Sequence, residues 1–77
     1  MIYMIEVFDK ETGFLKFEEK IPEGQAERTK LIMGWTNEQE GWEGYNLTRS
    51  QLTEFEEILG KEIYHPSCIY QITCNDY

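Results

Sequence analysis

The sequence predicts an α+β domain in which two helices pack on a small, mostly antiparallel sheet. Three observations predict this class: a β-rich opening segment that doubles back after a loop ending in glycine, a helix with complete end signals, and a closing segment that alternates like a strand. The predicted order is β-β-α-(β)-α-β, an arrangement that hides the apolar stripes of both helices. We expect residues 1–77 to form a single domain, because 77 residues leave no room for a second.

A hairpin opens the predicted fold. Residues 2–8 are rich in β-branched and aromatic side chains, which is typical of a strand, and we expect this strand to be buried on most of both sides. One of its faces carries Tyr3, Ile5 and Val7. The polar loop that follows ends in Gly13, which suits the positive φ of a hairpin turn. Residues 14–19 return as the second strand, and we expect Leu15 and Phe17 to face inward.

The first helix is predicted over residues 23–33. Pro22 ends the preceding strand pairing, because proline has no N–H to donate. Glutamates lie near the start of this segment and Lys30 lies near its end, as the helix dipole favours. Gly34 supplies a left-handed residue at which the helix can stop.

The second helix has the clearest signals in the chain. Thr48 is a good N-cap, and Gln51, three residues later, completes a capping box. Leu47 and Leu52 fit a hydrophobic staple, and Gly60 ends the helix. Its apolar stripe comprises Leu52, Phe55, Ile58 and Leu59. The acidic side chains expected to point away from that stripe are Glu54, Glu56 and Glu57.

The last strand is predicted over residues 68–74, beside the N-terminal hairpin. Cys68 and Cys74 fall on the same face of this strand, where free cysteines usually act as small core side chains. Six residues of strand separate their Cα atoms by ~20 Å. A disulfide needs a Cα separation of roughly 4.4–6.8 Å. The two cysteines therefore cannot form a disulfide with each other.

The charge of the chain bounds its partners. Lys and Arg number 7 against 15 Asp and Glu, which gives a formal net charge of −8. Such a surface repels nucleic acid and anionic membranes, so we expect neither as a partner, whereas basic protein surfaces are favoured. The apolar opening residues lack a basic start and are far shorter than the ~20 residues of a transmembrane span. We therefore expect a cytoplasmic protein.

The sequence offers little for catalysis or cofactor binding. His65 is the only histidine, and it precedes Pro66 in a predicted loop without an assigned nucleophile or carboxylate partner. The sequence contains neither a phosphate-binding loop nor a nucleophile-elbow motif. Its acidic loops lack the pattern of a calcium-binding loop. We expect no catalytic residue, no metal site and no cofactor.

The segment from residue 35 to residue 45 is the predicted binding loop, because it combines three large aromatics with three glutamates and no basic residue. Aromatic anchors surrounded by charge are typical of protein interfaces. The predicted partner-binding residues are Trp42, Glu38, Glu40, Glu43 and Tyr45, extended on the second helix by Glu54 and Glu57. An alternative for the aromatic residues at the two ends of the loop is that they fold back and cover the thin core. For Trp35 we favour the core.

Two segments resemble a known group of proteins. The opening IYMIEVFDKET, residues 2–12, is similar to the xVxVFDKET start of small bacterial proteins with uncharacterised domains. The segment YNLTRSQL, residues 45–52, followed by Phe55 and Gly60, is similar to a later part of the same proteins. Many of them are identified as immunity proteins of polymorphic toxin and contact-dependent growth inhibition systems. The resemblance implies a protein that neutralises a basic, nuclease-type toxin domain by tight one-to-one binding.

Two other classes of function stay open at this point. A nucleic-acid mimic would bind several unrelated basic proteins, whereas an immunity protein would bind one. A small regulatory module would self-associate through an exposed strand edge. Between self-association and a monomer, we favour the monomer.

Overall fold

The computed structural model describes residues 2–35 and 44–75, and within them it confirms the predicted α+β class. The six elements follow the order β-β-α-β-α-β. They are β1 (Ile2–Asp9), β2 (Leu15–Lys20), α1 (Ala26–Met33), β3 (Gly44–Asn46), α2 (Arg49–Leu59) and β4 (Cys68–Asn75). The bracketed strand between the two helices in the predicted order is therefore present as β3.

The four strands form one antiparallel sheet in the order β2-β1-β4-β3. The last strand lies beside the N-terminal hairpin, as predicted. Its pairing with β1 runs over the whole length of both strands, from Ile2 opposite Asn75 to Asp9 opposite Cys68. On the other side of β4, the three residues of β3 pair around Tyr45 opposite Ile72. The sheet thus has β2 and β3 as its edges.

Both helices pack on the same face of this sheet. Alternation along a strand sends successive side chains to opposite faces, and only one face contributes to the core. The buried core residues are Tyr3, Ile5, Val7, Ile21, Leu52, Phe55, Cys68, Tyr70, Ile72 and Cys74. The cysteines share this face, as predicted, and do not form a disulfide with each other. The expectation that the first strand is buried on most of both sides holds for the core face only, because the side chains on its second face are only partly buried.

The hairpin contains a second correction. The loop forms as predicted: Gly13 has a φ of 75°, and the Asp9 carboxylate accepts the backbone N–H groups of residues 11 and 12. Leu15 and Phe17, predicted to face inward, remain 45% and 39% exposed. A register shift beside Phe8 places Leu15 on the face without helices. Phe17 is on the helix side, but it lies on an edge strand.

The helix ends follow the sequence signals except at the start of α1. In α2 the capping box of Thr48 and Gln51 is complete, and the helix ends at Gly60 in the left-handed conformation. Gly34 ends α1 in the same way. The start of α1 lies three residues later than predicted, because Gly24 has a φ of 89° and belongs to the preceding turn.

Candidate partner-binding surface

Four of the predicted binding residues lie outside the residues that the structure describes: Glu38, Glu40, Trp42 and Glu43. The other three are placed. Tyr45 lies on β3 and packs partly buried against the core. Glu54 and Glu57 are exposed on α2.

Trp35 and Tyr45 cover one end of the core. The Trp35 ring lies between two tyrosines, with its centroid 6.0 Å from that of Tyr3 and 5.0 Å from that of Tyr45. Such tilted aromatic pairs stabilise a core beyond their buried area. This contact agrees with the interpretation favoured for Trp35, and for Tyr45 it agrees with the alternative in which the ring closes the core.

The basic side chains are largely occupied by the chain's own acids. Five of the seven basic residues form ion pairs: Lys20 with Glu23, Arg28 with Glu57, Lys30 with Glu27, Arg49 with Glu56, and Lys61 with Glu19. Glu57 is therefore engaged with Arg28 at 3.3 Å. Six of the described carboxylates take part in no ion pair with another described residue: Glu6, Asp9, Glu11, Glu18, Glu54 and Glu62. An approaching partner therefore meets excess acid.

Two of these carboxylates meet on the side of the sheet opposite the two described helices, and we call this side the open face. Its side chains on the three longer strands are Ile2, Met4, Glu6 and Phe8 of β1, Leu15, Glu18 and Lys20 of β2, and Ile69, Gln71 and Thr73 of β4. Alternation assigns them to this face, because their neighbours along β1 and β4 are buried in the core.

An apolar row crosses the open face near the hairpin. Phe8 lies opposite Leu15 on one side and opposite Ile69 on the other. Leu15 and Ile69 are 45% and 44% exposed. We call this set the apolar row. Three large apolar side chains in adjacent positions on three strands form a contiguous patch, and contiguous exposed patches mark interaction sites more often than scattered apolar residues do.

A pair of like charges lies beside the apolar row. Glu6 of β1 is directly opposite Glu18 of β2, and we call these residues the carboxylate pair. Burial raises the pKa of the Glu6 carboxyl, and the neighbouring Glu18 raises it further. On the other side of Glu6, the Gln71 amide donates to Asn46 Oδ1 at 2.9 Å. Like charges directly opposite each other destabilise a sheet, so the fold carries this pair at a cost.

Comparison with known proteins assigns a family to this fold. The family described as "Domain of unknown function (DUF7683)" matches residues 2–73. The chain belongs to this family. The matched span includes the apolar row and the carboxylate pair, together with six of the eight residues of β4. No curated protein matches the chain, and no solved structure does.

One acidic residue of the DUF7683 domain has a structural role that differs from its prediction. Glu56 was expected to point away from the apolar stripe of α2, but its side chain is only 9% exposed. Its carboxylate accepts the backbone N–H of Ile63 at 2.6 Å and that of Tyr64 at 3.0 Å, and it pairs with Arg49 at 3.3 Å. Burial alone would raise the pKa of Glu56, but these two backbone donors and Arg49 outweigh it and lower the pKa. The signal in the sequence is its position, four residues after Leu52 on the buried side of the helix.

The loop between α2 and β4 is held by a second buried polar group. The Tyr70 hydroxyl accepts the His65 backbone N–H at 2.6 Å and donates to the Ile63 carbonyl at 2.9 Å. Tyr64 stacks on Tyr70, and the Arg49 guanidinium lies 4.0 Å from the centre of the Tyr64 ring. These contacts tie the loop to both of its neighbouring elements, so Glu56 and Tyr70 stabilise the fold.

His65 makes only local contacts in the DUF7683 domain. Its Nδ1 accepts the Ser67 backbone N–H at 3.1 Å, and the Ser67 hydroxyl lies 2.6 Å from the same nitrogen. Both side chains lie in the exposed turn before β4. Within residues 2–35 and 44–75, no three metal-ligating side chains converge. No helix in these ranges has the length and apolar character needed to cross a membrane.

Proposed function

We propose that this protein is a cytoplasmic immunity protein that neutralises a cognate toxin domain by tight one-to-one binding. The toxin domain is basic and of nuclease type. The resemblance of residues 2–12 and 45–52 to small bacterial immunity proteins suggests this class. The observation that carries the proposal is the distribution of charge, in which the basic side chains are engaged internally and acids are left over.

The charge of the chain is opposite to the charge that a nuclease presents to its substrate. The chain has a net charge of −8, and five of its seven basic side chains are paired with its own acids. A nuclease must present basic side chains to bind the phosphates of its substrate. Complementary potentials speed the association of two such proteins and disfavour wrong partners. An acidic protein that covers a nuclease cleft, or a face beside it, excludes the substrate.

The edges of the sheet favour a monomer over self-association. The edge strand β3 has only three residues, and the other edge strand, β2, carries Lys16 and Lys20. Short and lysine-bearing edges are how proteins prevent pairing with another chain. We therefore propose one copy of this protein for each toxin.

The experiment that tests the function is capture of partners from the native host with the tagged protein. Bound proteins are washed at low and then at high salt and are identified by mass spectrometry. The proposal expects one stoichiometric basic protein that survives high salt and whose toxicity the purified chain suppresses. Many basic proteins released by salt would instead indicate nucleic-acid mimicry. Capture of no protein would contradict the proposal.

The predicted loop is tested with the same partner. Trp42→Ala is expected to weaken binding while the unfolding temperature of the variant stays unchanged. A variant that loses its fold would show that Trp42 belongs to the core, and a variant that binds like the wild type would remove this residue from the interface.

A further inference from the structure

We propose that the open face of the sheet is the surface that receives the basic partner, with a cationic side chain of the partner seated between Glu6 and Glu18 and its apolar side chains on the apolar row. The inference rests on the proposed function, since it names the surface used for the same binding. It also adds a surface to the loop at residues 35–45, which sequence alone had suggested.

Within residues 2–35 and 44–75, no helix packs on the open face. Both helices lie on the other side of the sheet, and the core contains none of the side chains of the apolar row. Leu15 and Ile69 keep almost half of their surface exposed, although their positions on the sheet align them with Phe8. Exposed apolar surface of this kind is stabilised when a partner removes it from water.

Charge identifies what the partner must carry. The two glutamates face each other, and within the part of the chain that the structure describes neither forms an ion pair. Lys20, one row away on the same face, pairs with Glu23 at 3.8 Å. Lys16 directs its Nζ to Cys68 Sγ at 3.9 Å. A guanidinium or ammonium group between Glu6 and Glu18 would relieve the repulsion of two like charges that lie directly opposite each other on neighbouring strands.

The same charges argue against a second copy of this chain as the occupant. Two open faces packed on each other would bring four carboxylates together in an environment from which water is excluded. Like charges brought together in such an interface strongly disfavour association. The occupant that the face fits is a basic protein segment with apolar side chains beside its charge.

Size shows how far the partner must extend. Strands spaced ~4.8 Å apart with ~3.3 Å per residue give the open face an area of roughly 400 Å². A stable interface needs about 800 Å² on each partner. The partner must therefore reach beyond the sheet, and the hairpin tip offers Phe14, which is 75% exposed next to the apolar row. We expect Phe14 to extend the interface.

The first test uses a defined probe with the whole isotopically labelled protein. The probe is a short peptide of alternating arginine and leucine, and peptides of alternating arginine and serine and of alternating glutamate and leucine serve as controls. The expected result is that the arginine–leucine peptide shifts the NMR signals of Ile69, Leu15 and Glu6, and that both controls bind more weakly. Shifts spread evenly over the exposed carboxylates, with equal binding of the arginine–serine peptide, would overturn the inference.

Matched variants separate the open face from the general charge. The double variant Glu6→Gln/Glu18→Gln removes the same charge as the control Glu27→Gln/Glu62→Gln, whose two exposed residues lie on α1 and in the loop after α2. Leu15→Ser is matched by Leu31→Ser, because Leu31 is an exposed leucine on α1. Both open-face variants should weaken peptide binding by more than about tenfold, as the loss of desolvated contacts predicts. Equal losses in the control variants would overturn the inference.

The same variants distinguish failure of the surface from failure of the function. If the wild type captures one stoichiometric basic protein and the open-face variants capture it equally well, the inference is wrong and the proposed function stands. If only the open-face variants fail to capture that protein, the inference about the open face and the proposed function are both supported. If the wild type captures none, the proposed function fails, and the peptide titration alone decides whether the open face binds cationic apolar segments. Unfolding curves of each variant show whether a lost interaction reflects a lost fold.

Discussion

Replacing Glu56 with alanine should be among the most damaging single changes on α2. The carboxylate of Glu56 holds the backbone N–H groups of Ile63 and Tyr64 and lies beside the Arg49 guanidinium. A buried donor left without an acceptor costs about 1–3 kcal/mol. Ile63 is partly buried, whereas Tyr64 is exposed, so the backbone N–H of Tyr64 can form a hydrogen bond with water instead. We therefore expect Glu56→Ala to lower the free energy of unfolding by about 2–3 kcal/mol.

This loss is large for a domain of this size. Small domains are stable by about 0.05–0.15 kcal/mol per residue, which is roughly 4–12 kcal/mol here. A change of 1 kcal/mol shifts the unfolding temperature of a small domain by about 4–8 °C, so the variant should melt roughly 10–20 °C lower. Urea unfolding followed by circular dichroism measures the free energy directly. Glu54→Ala on the same helix is the control, and we expect it to change stability by less than about 0.5 kcal/mol.

The pH dependence of the difference provides a second check. The fold lowers the pKa of Glu56, so its contribution is fully present above the ordinary pKa of a glutamate and is lost as the pH falls through the lowered value. The difference in the free energy of unfolding between the wild type and Glu56→Ala should therefore become smaller as the pH is lowered. Equal urea midpoints for Glu56→Ala and Glu54→Ala at neutral pH, or a gap that does not change with pH, would refute the reasoning.

Three further substitutions test the open face, the N-cap of α2 and the loop between α2 and β4. Glu6→Gln should raise the free energy of unfolding by about 0.5 kcal/mol at neutral pH, because it relieves the repulsion from Glu18. The fold raises the pKa of Glu6, so ionisation of this carboxyl lowers the free energy of unfolding as the pH rises through the raised pKa. The stability that Glu6→Gln gains over the wild type should therefore vanish when urea unfolding is measured below the ordinary pKa of a glutamate. Thr48→Ala should cost about 1 kcal/mol in the same assay, and a loss no greater than that of Ser50→Ala would contradict a capping role. Tyr70→Phe should cost about 1–3 kcal/mol, since the His65 N–H loses its acceptor, and it should speed amide hydrogen exchange at residue 65; unchanged exchange there would show that the hydroxyl does not hold the loop.

Local signals were sufficient to predict the elements of the fold. The capping box at Thr48 and the stop at Gly60 depend on residues within one helical turn, and both are as predicted. The start of α1 was misplaced, because glutamates near residue 23 suit a helix while the positive φ of Gly24 prevents it. The cysteines were assigned correctly from strand alternation alone.

The errors arose where a side chain depends on distant pairing. The position of Leu15 follows from a register shift between β1 and β2, and nothing in residues 14–19 marks that shift. Glu56 has its backbone partners in the loop beyond the end of its helix. The sequence therefore shows an acidic residue without showing what it binds.

The candidate site was predictable only in its charge. The excess of acid follows from composition, and Glu54 lies exposed on α2 as predicted. The open face was not predicted, because it requires the pairing of Glu6 with Glu18 and the knowledge that both helices lie on one side. Either side of the sheet would satisfy the alternation of β1.

The full-length pairing of β1 with β4 has a consequence for how the protein is made. The pairing of β1 cannot be completed until β4 has been synthesised, because Ile2 lies opposite Asn75 at the other end of the chain. Closing so long a loop slows folding relative to a helical protein of the same size. During synthesis, the β1–β2 hairpin and α2 can form early, but Ile5 and Val7 stay uncovered on one flank until residues 68–75 have been added. A chain that ended before β4 would expose the unpaired edge of β1 together with the core residues that β4 covers. An exposed strand edge beside exposed apolar side chains promotes aggregation.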